Sequence, residues 1–259
     1  MGSLDGKTAL ITGGTRGIGR ACAEALHADG ANVVVNGRSP DKGVQALEEM
    51  GGGDRLHFLP ADVTTGEACY GLVDDTIARF GQIDILVNNA GGTAGSALLW
   101  ESDEADWHQV INWNLNHPMW TSRRAIPNML ERGWGRIVNI SSIYGKMSLP
   151  TVSSYVTTKH GLNGLTKALA AETGELGIRV NAICPGFIRT DIFETEGPTT
   201  ADAMGMDFED WVDAVTQISM TKTVNEASQV GAMCAFLCSE AGDGITGSMF
   251  NVDGGSTPY

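Results

Sequence analysis

A glycine-rich turn near the N-terminus constrains the fold of this chain more than any other feature. Residues 8–12 form a short apolar run that predicts a β-strand, residues 20–29 predict an amphipathic helix, and Gly13, Gly14, Gly17 and Gly19 lie between them. Glycines allow the backbone to approach a ligand closely, and a helix N-terminus offers free N–H groups with a partial positive charge. The turn therefore predicts a phosphate-binding site, although its Gly-x-x-x-Gly-x-Gly spacing departs from the Gly-x-Gly-x-x-Gly dinucleotide fingerprint.

Short apolar segments alternate with longer periodic segments along the rest of the chain. The strand candidates are residues 7–12, 32–36, 55–59, 83–88, 136–140, 179–183 and 248–252. Strands that alternate with helices predict a parallel sheet with right-handed crossovers and a ligand site beyond the carboxyl ends of the strands. We therefore expect an α/β fold in which residues 1–259 form a single domain, with a doubly wound, seven-stranded parallel sheet and helices on both faces.

Charge and cysteine content exclude several classes of protein. The formal net charge of −14 opposes nucleic-acid binding, because a phosphate backbone would be repelled. The sequence has neither an uninterrupted apolar run long enough to span a membrane nor a secretory leader, so we expect a cytoplasmic protein without a membrane partner. The five cysteines form no closely spaced framework, and Cys234 and Cys238 lack a nearby histidine, so we expect them to pack in the core and we predict no metal site.

A tyrosine and a lysine in one predicted helix indicate proton transfer. Tyr155 and Lys159 are four residues apart, which places the phenol and the ammonium on one helix face. The positive charge favours the phenolate and is expected to lower the Tyr155 pKa toward the working pH. Such a pair also fits an ordinary surface contact of a helix. Together with the glycine-rich turn and the preceding hydroxyl of Ser142, it points to hydride chemistry.

Taken together, these motifs resemble the classical short-chain dehydrogenase/reductase family, in order and across nearly the whole chain. The resemblance rests on residues 12–19, the Asn-Asn-Ala-Gly run at 88–91, Asn114, Ser142, Tyr155 with Lys159, and Pro185-Gly186. It implies a Rossmann fold, a small substrate lid over residues 189–224, a homotetramer, and hydride transfer between a nicotinamide cofactor and a carbonyl or alcohol group. Residues 181–186, 236–242 and 251–255 are most similar to the 3-hydroxybutyrate dehydrogenase and 3-oxoacyl reductase branch.

The resemblance also assigns catalytic roles. Tyr155 would donate a proton to the substrate oxygen, Ser142 would hydrogen-bond and orient that oxygen, and Lys159 would lower the Tyr155 pKa and hold the nicotinamide ribose. Asn114 matches the asparagine that holds a water molecule linking the lysine to solvent. Two neighbouring asparagines, at 112 and 116, leave that last assignment open.

The end of the second strand indicates the cofactor. Gly37 stands where NAD-using relatives carry an aspartate, and Arg38 and Arg16 could clamp a 2′-phosphate, so we predict NADP(H) rather than NAD(H). The alternative is that both arginines are solvated surface charges. The other cofactor contacts implied by the resemblance are Gly13, Thr15, Gly17, Ile18, Gly19, Asp62, Val63, Asn89, Ala90, Gly91, Tyr155, Lys159, Pro185, Gly186, Ile188 and Thr190. Asp62 would equally suit a helix cap.

The predicted substrate pocket departs from the branch that the C-terminal half resembles. That branch clamps a carboxylate with polar and cationic side chains, whereas the corresponding residues here are Ala94, Tyr144, Val152 and Phe187, beside Ser142 and Tyr155. The lid is rich in acidic residues, which would repel a substrate carboxylate. These features predict a neutral, fairly apolar ketone or secondary alcohol as the small-molecule substrate. Lid residues Phe187, Phe193, Met204, Met206 and Trp211 could line this pocket or simply pack the lid onto the body.

Two other functions remain open at this stage. A 3-oxoacyl thioester reductase would need a basic rim for its acidic carrier, for which Arg123, Arg124, Arg132 and Arg136 are a scattered source. A non-enzymatic dinucleotide sensor could keep the fold without the chemistry. Its signature would be an incomplete catalytic set, whereas all four residues of that set are present.

Overall fold

A computed structural model describes residues 2–257, apart from the side chains of residues 196 and 203, and confirms the predicted α/β architecture. The strands are β1 (Thr8–Ile11), β2 (Asn32–Gly37), β3 (Leu56–Pro60), β4 (Ile85–Asn88), β5 (Gly135–Ile140), β6 (Ile178–Pro185), β7 (Ile188–Arg189), β8 (Asn225–Glu226) and β9 (Met249–Val252). The α-helices are α1 (Gly17–Ala28), α2 (Pro40–Glu49), α3 (Gly66–Phe80), α4 (Glu104–Ile111), α5 (His117–Glu131), α6 (Ser153–Thr173), α7 (Asp191–Ala203), α8 (Phe208–Ile218) and α9 (Ala227–Cys238). A π-helical turn, Asn112–Asn116, joins α4 to α5.

Seven strands form one parallel sheet in the order β3-β2-β1-β4-β5-β6-β9. In its register, Leu10 pairs with Val34 on one side and with Leu86 on the other. All seven strands predicted from the sequence are present, with ends that differ from the prediction by at most two residues. The order reverses beside β1, where the chain crosses from one half of the sheet to the other, and a ligand site is expected at that point.

Apolar layers cover both faces of the sheet. In β1, Ala9 and Ile11 face a layer built with α1 and α9, whereas Leu10 faces the opposite layer with α3 and α5. Successive strand residues point to opposite faces, so a strand buried on both sides is apolar over most of its length. The free cysteines at 22, 69, 184, 234 and 238 are all buried, as predicted for core residues.

Within residues 2–257, no three His, Cys, Asp or Glu side chains are arranged to hold a metal ion. None of the described helices has the length and apolar content needed to cross a bilayer.

A two-stranded parallel sheet that the sequence did not predict closes the base of the lid. Ile188 in β7 pairs with Asn225 in β8, and α7 and α8 lie between these strands in the chain. The lid has a small core of its own, in which the rings of Phe193 and Trp211 lie 5.2 Å apart between centroids. The segment predicted as a lid is therefore a compact helical pair rather than a loop.

Buried polar side chains tie the helices to the central strands. Asn88 in β4 donates to Asn139 in β5 at 2.9 Å and accepts from Thr121 in α5 at 2.7 Å. Asn139 in turn donates to Thr166 in α6 at 2.9 Å. Because buried polar groups are costly unless they are hydrogen-bonded, this chain of bonds fixes α5 and α6 against the strand ends.

Replacing Thr166 by valine should destabilise the protein, because it keeps the side-chain shape but leaves the buried Asn139 amide without its acceptor. We expect a loss of about 1–3 kcal/mol in the free energy of unfolding, measured by urea denaturation. Thr157→Val, at an exposed position of the same helix, is the matched control and should change stability by about 0.5 kcal/mol or less. Equal effects of the two substitutions would contradict a structural role for the buried chain.

Candidate active site

A cleft of about 580 Å³ lies at the carboxyl ends of the strands, between the glycine-rich turn, α6 and the lid. Every residue predicted to contact the cofactor lines this cleft. The cleft also includes residues that the sequence did not single out, among them Asn36, Ser39, Lys42, Gly92, Trp113 and Ser141, and it includes Asp191 of the acidic lid. One elongated site therefore joins the glycine-rich turn to the predicted catalytic residues.

The glycine-rich turn has the geometry of an anion-binding site. A Cβ on Gly19 would lie 2.4 Å from the Gly13 carbonyl oxygen, so only glycine fits there. Asn89 at the end of β4 donates to the Thr12 and Gly13 carbonyls at 2.9 and 3.1 Å, which fixes the turn against the sheet. Arg16 is the N-cap of α1, and its side chain makes no capping bond. The first N–H groups of the helix, in residues that line the cleft, therefore remain free to bind an anion. These features fit the pyrophosphate of a dinucleotide.

The predicted catalytic residues meet at the other end of the cleft. Ser142, almost fully buried, follows β5 and accepts a hydrogen bond from the Tyr144 N–H at 3.1 Å. Tyr155 lies in the first turn of α6, and the Lys159 Nζ lies one turn later, 5.4 Å from the Tyr155 ring centroid. Lys159 donates to the Ile140 carbonyl at 2.8 Å. The structure thus brings the hydroxyl, phenol and ammonium together.

The protonation of these groups differs from the sequence-based prediction. Burial raises the pKa of Tyr155 to about 12, and the largest opposing effect is a hydrogen bond from Ser142, so the expected lowering by Lys159 is not found. Burial also lowers the pKa of Lys159 to about 8. The physical reason is that loss of hydration disfavours both the phenolate and the ammonium. In this structure the phenol is protonated at neutral pH.

Asn114 is buried in the π-helical turn and holds a cleft loop in place. Its amide donates to the Gly92 carbonyl at 2.8 Å and to the Val110 carbonyl at 3.0 Å, and its Oδ1 accepts from the Gly92 N–H at 3.1 Å. A Cβ built on Gly91 would lie 2.4 Å from the Asn114 Oδ1 and 3.8 Å from the Lys159 Nζ, so the asparagine and the lysine border the same glycine. This position supports the choice of Asn114.

The two neighbouring asparagines bond to each other instead. The side-chain amide of Asn116 donates to the Asn112 Oδ1 at 2.7 Å. Neither residue is among those that line the cleft within the described part of the chain.

His117 completes the π-helical turn and was not identified from the sequence. The backbone N–H of His117 donates to the Asn112 carbonyl, five residues earlier. In the same i to i−5 pattern the Trp113 carbonyl would accept from the N–H of residue 118, but residue 118 is proline and has no N–H. The His117 Nδ1 lies 3.2 Å from the Trp113 oxygen. A carbonyl can only accept, so Nδ1 carries the hydrogen and replaces the missing donor. The available signal was Pro118, two residues after the last asparagine of the run at 112–116.

The end of the cleft beside β2 carries positive charge. We call it the adenosine end, because the adenosine of the predicted cofactor would lie there. Arg16 and Arg38 both line the cleft with exposed side chains, and Lys42 joins them. Asp62 also lines the cleft, and its Oδ1 accepts from the Thr64 N–H at 3.1 Å, so it stabilises the turn before α3 as well. The N-cap of α3 is Thr65, not Asp62.

Only half of the predicted substrate residues reach the cleft. Ser142, Tyr155 and Phe187 line it, whereas Ala94 lies in a separate small hollow with Thr151 and Ser153. The Ala97 N–H donates to the Thr151 carbonyl at 3.0 Å, which holds this segment beside the start of α6, and substrate contact by Ala94 stays a prediction.

The remaining predicted substrate residues, Tyr144 and Val152, are not among those that line the cleft. Tyr144 packs edge-on against Tyr155, with ring centroids 6.5 Å apart. Val152 is the N-cap residue of α6.

The lid aromatics serve both purposes that the sequence left open. Phe187, Phe193 and Trp211 line the cleft, and the same rings pack against one another in the lid core. Met206 packs against that core, whereas Met204 is 61% exposed.

Comparison with known proteins agrees with this site. A family model described as short chain dehydrogenase matches residues 7–201. The chain is 39% identical to the D-beta-hydroxybutyrate dehydrogenase of Rhizobium meliloti, over 97% of this chain and 98% of that protein. It is 35% identical to the 3beta-hydroxysteroid dehydrogenase of Mediterraneibacter gnavus, over 100% and 98%. It is 37% identical to a 3-oxoacyl-(acyl-carrier-protein) reductase of Staphylococcus epidermidis, over 96% and 98%.

The buried His117 should make stability depend on pH. Burial lowers the His117 pKa from 6.5 to about 4 in the folded protein, so between these values the unfolded chain binds the proton more tightly and stability falls as the pH falls. His117→Asn keeps a donor for the Trp113 carbonyl but cannot titrate. Relative to this variant, the wild type should lose up to about 3 kcal/mol between pH 7 and pH 4, measured by urea denaturation. Parallel pH profiles would contradict the buried neutral imidazole.

Proposed function

The chain belongs to the short chain dehydrogenase family, an oxidoreductase family acting on CH–OH and C=O groups, and from this premise we propose that it is an NADP(H)-dependent carbonyl reductase. Its substrate would be a neutral, fairly apolar ketone, or the secondary alcohol in the reverse direction. The observation that carries the proposal is the convergence of Ser142, Tyr155 and Lys159 in the cleft that begins at the glycine-rich turn.

The residues of the cleft fit a nicotinamide dinucleotide, which when bound supplies or accepts the hydride. Tyr155 gives its proton to the substrate oxygen during reduction, and Ser142 donates a hydrogen bond that orients this oxygen and stabilises its developing charge. Because burial raises the Tyr155 pKa to about 12, the phenol carries at neutral pH the proton that reduction requires. Oxidation needs the phenolate, so its rate should rise with pH.

Lys159 and Asn114 support this proton transfer. Lys159 holds the ribose and places an ammonium near the phenol, and its lowered pKa eases proton exchange with the phenolate after turnover. Asn114 acts by keeping the Gly91-Gly92 backbone beside Lys159. All four residues of the predicted catalytic set therefore have a role.

NADP(H) preference rests on the charges at the adenosine end. Arg16, Arg38 and Lys42 line the cleft, and Ser39 caps the N-terminus of α2 beside them, so a phosphate dianion would meet cations and a helix dipole. Position 37 is glycine and supplies no carboxylate, and an aspartate there would require Thr15 to shift, because a Cβ would lie 3.0 Å from the Thr15 Cγ2. The lack of a carboxylate and the presence of these cations favour the phosphorylated ribose.

The apolar lining supports a neutral substrate. Phe187, Phe193 and Trp211 face the cleft, and Asp191 supplies a negative charge at its lid side. A relative named as a hydroxysteroid dehydrogenase acts, by its name, on a large apolar alcohol. A substrate carboxylate would instead be desolvated beside acidic and aromatic groups.

The 3-oxoacyl thioester alternative is supported by relatives named 3-oxoacyl-(acyl-carrier-protein) reductase but not by the surface charges. Arg124 pairs with Asp74, Arg132 pairs with Asp84, and Arg136 is buried and pairs with Asp243. Three of the four arginines considered as a basic rim are therefore engaged elsewhere in the fold. The dinucleotide sensor is disfavoured because the catalytic set is complete and assembled.

We also propose a homotetramer. The family resemblance implies subunit contacts through residues 107–132 and 155–176, and Leu130 and Leu176 are exposed in these segments. Burial of such side chains between subunits would be favourable.

Removing the phenolic oxygen should stop the chemistry without affecting cofactor binding. Tyr155→Phe should lower kcat for ketone reduction by about 10²- to 10⁴-fold, because proton donation is lost. The dissociation constant for NADPH, measured by fluorescence titration, should stay within about 3-fold, since the ring is retained. Tyr70→Phe, in α3 away from the cleft, is the control. Turnover near the wild-type rate in Tyr155→Phe would remove Tyr155 from the mechanism.

Removing one cation should change the choice of cofactor. Arg38→Ala should weaken NADPH binding by about 10- to 100-fold, the effect of a charge-assisted hydrogen bond, with little change for NADH. Arg79→Ala, an exposed arginine of α3 outside the cleft, is the control and should alter neither affinity. Tighter binding of NADH than of NADPH by the wild type would overturn the proposed cofactor.

A further inference from the structure

We propose that Trp113 determines cofactor specificity by holding the Arg38 guanidinium at the 2′-phosphate position before NADP(H) binds. This inference rests on the proposed NADP(H) preference and adds a residue from the opposite wall of the cleft. Trp113 belongs to the π-helical turn, whereas Arg38 follows β2. The two side chains meet only in the folded protein.

The geometry is that of a cation–π contact. The Arg38 Cζ lies 5.9 Å from the centre of the Trp113 ring, within the range over which an aromatic face attracts a guanidinium. Both side chains line the cleft, beside Lys42 and Asp62. Among the residues that the structure describes, no carboxylate lies within ion-pair distance of Arg38, in contrast to Arg20, Arg124 and Arg189. The indole is therefore the group that orients this cation.

Trp113 itself is held from several sides. The His117 ring satisfies its carbonyl at 3.2 Å, and the next residue, Asn114, is bonded to both backbone groups of Gly92. The indole is half-buried against the apolar layer of α3 and α5, and its Cζ3 would lie 3.6 Å from a Cβ on Gly92. A rigid aromatic platform of this kind can orient a flexible side chain without itself losing freedom on binding.

This arrangement favours the phosphorylated cofactor. An exposed arginine has many rotamers, and ordering it around a phosphate opposes binding. If the indole already holds the guanidinium over the cleft, part of that ordering is present before the ligand arrives. Only a ligand with a 2′-phosphate benefits, so Trp113 raises discrimination between NADP(H) and NAD(H) and not affinity in general.

Two nucleotides that differ in the 2′-phosphate distinguish orientation of Arg38 by Trp113 from a simple contact between Trp113 and adenine. Binding of adenosine 2′,5′-bisphosphate and of adenosine 5′-monophosphate would be measured by isothermal titration calorimetry on the full-length protein. Trp113→Leu should weaken the bisphosphate by about 3- to 10-fold and the monophosphate by less than about 2-fold. Trp113→Phe keeps an aromatic face and should fall between wild type and leucine. Trp100→Leu, at a tryptophan that is 79% exposed, is the matched control.

A double-mutant cycle tests the coupling itself. In the Arg38→Ala background, Trp113→Leu should cause little further loss of bisphosphate affinity, because the cation that the indole orients is gone. Additive losses would overturn the proposal, as would equal weakening of both nucleotides, which would make Trp113 an adenine contact. Urea denaturation of each variant excludes unfolding as the cause, and Trp113→Phe tests the idea if the leucine variant is unstable.

The outcome also separates this inference from the function on which it rests. If Arg38→Ala weakens the bisphosphate and Trp113→Leu does not, only the role of Trp113 is lost. If Arg38→Ala leaves the affinity for the bisphosphate unchanged, both the role of Trp113 and the proposed NADP(H) preference fail.

Discussion

Seven parallel strands end at one edge of a single sheet, and every part of the candidate site is attached to that edge. Strands buried on both faces are mostly apolar, so most polar groups of the site lie where a strand stops. Asn88 and Asn139 are two of the buried polar side chains within the strands, and they bond to each other and to α5 and α6. These bonds fix the helix that carries Tyr155 and Lys159 relative to the glycine-rich turn. The sheet therefore sets the distance between the glycine-rich turn and Tyr155.

The π-helical turn connects the two ends of the cleft. Proline at 118 removes an N–H, and His117 replaces that donor from its side chain. The one-residue widening then places Asn114 against Gly92, near Lys159, and Trp113 toward Arg38 at the adenosine end. A single irregularity, of the kind often found at functional sites, therefore carries both the asparagine that we propose for catalysis and the tryptophan that we propose for cofactor recognition.

The sequence predicted most of the fold because apolar periodicity and glycine spacing are local signals. All seven main strands, the glycine-rich turn and most of the residues that line the cleft follow from such signals or from family resemblance. The β7–β8 pair was missed because two residues per strand carry no periodicity. The separate hollow that contains Ala94 could not be predicted, because it depends on how a loop packs against Thr151. The direction of the Tyr155 pKa shift was mispredicted because burial, its largest cause, depends on the whole fold.

Transfer of the hydride itself tests the central claim most directly. The protein would be incubated with NADPH or NADH carrying deuterium at the reactive carbon of the nicotinamide, together with an aryl ketone, a cyclic ketone or acetoacetate. Mass spectrometry would then detect deuterium in the product alcohol. We predict that deuterium from NADPH will appear in the alcohols formed from the neutral ketones. Little deuterium should come from NADH, and little should appear in the alcohol formed from acetoacetate. Preferential labelling of 3-hydroxybutyrate, the product of acetoacetate reduction, from deuterated NADH would contradict both the cofactor and the substrate assigned to this cleft.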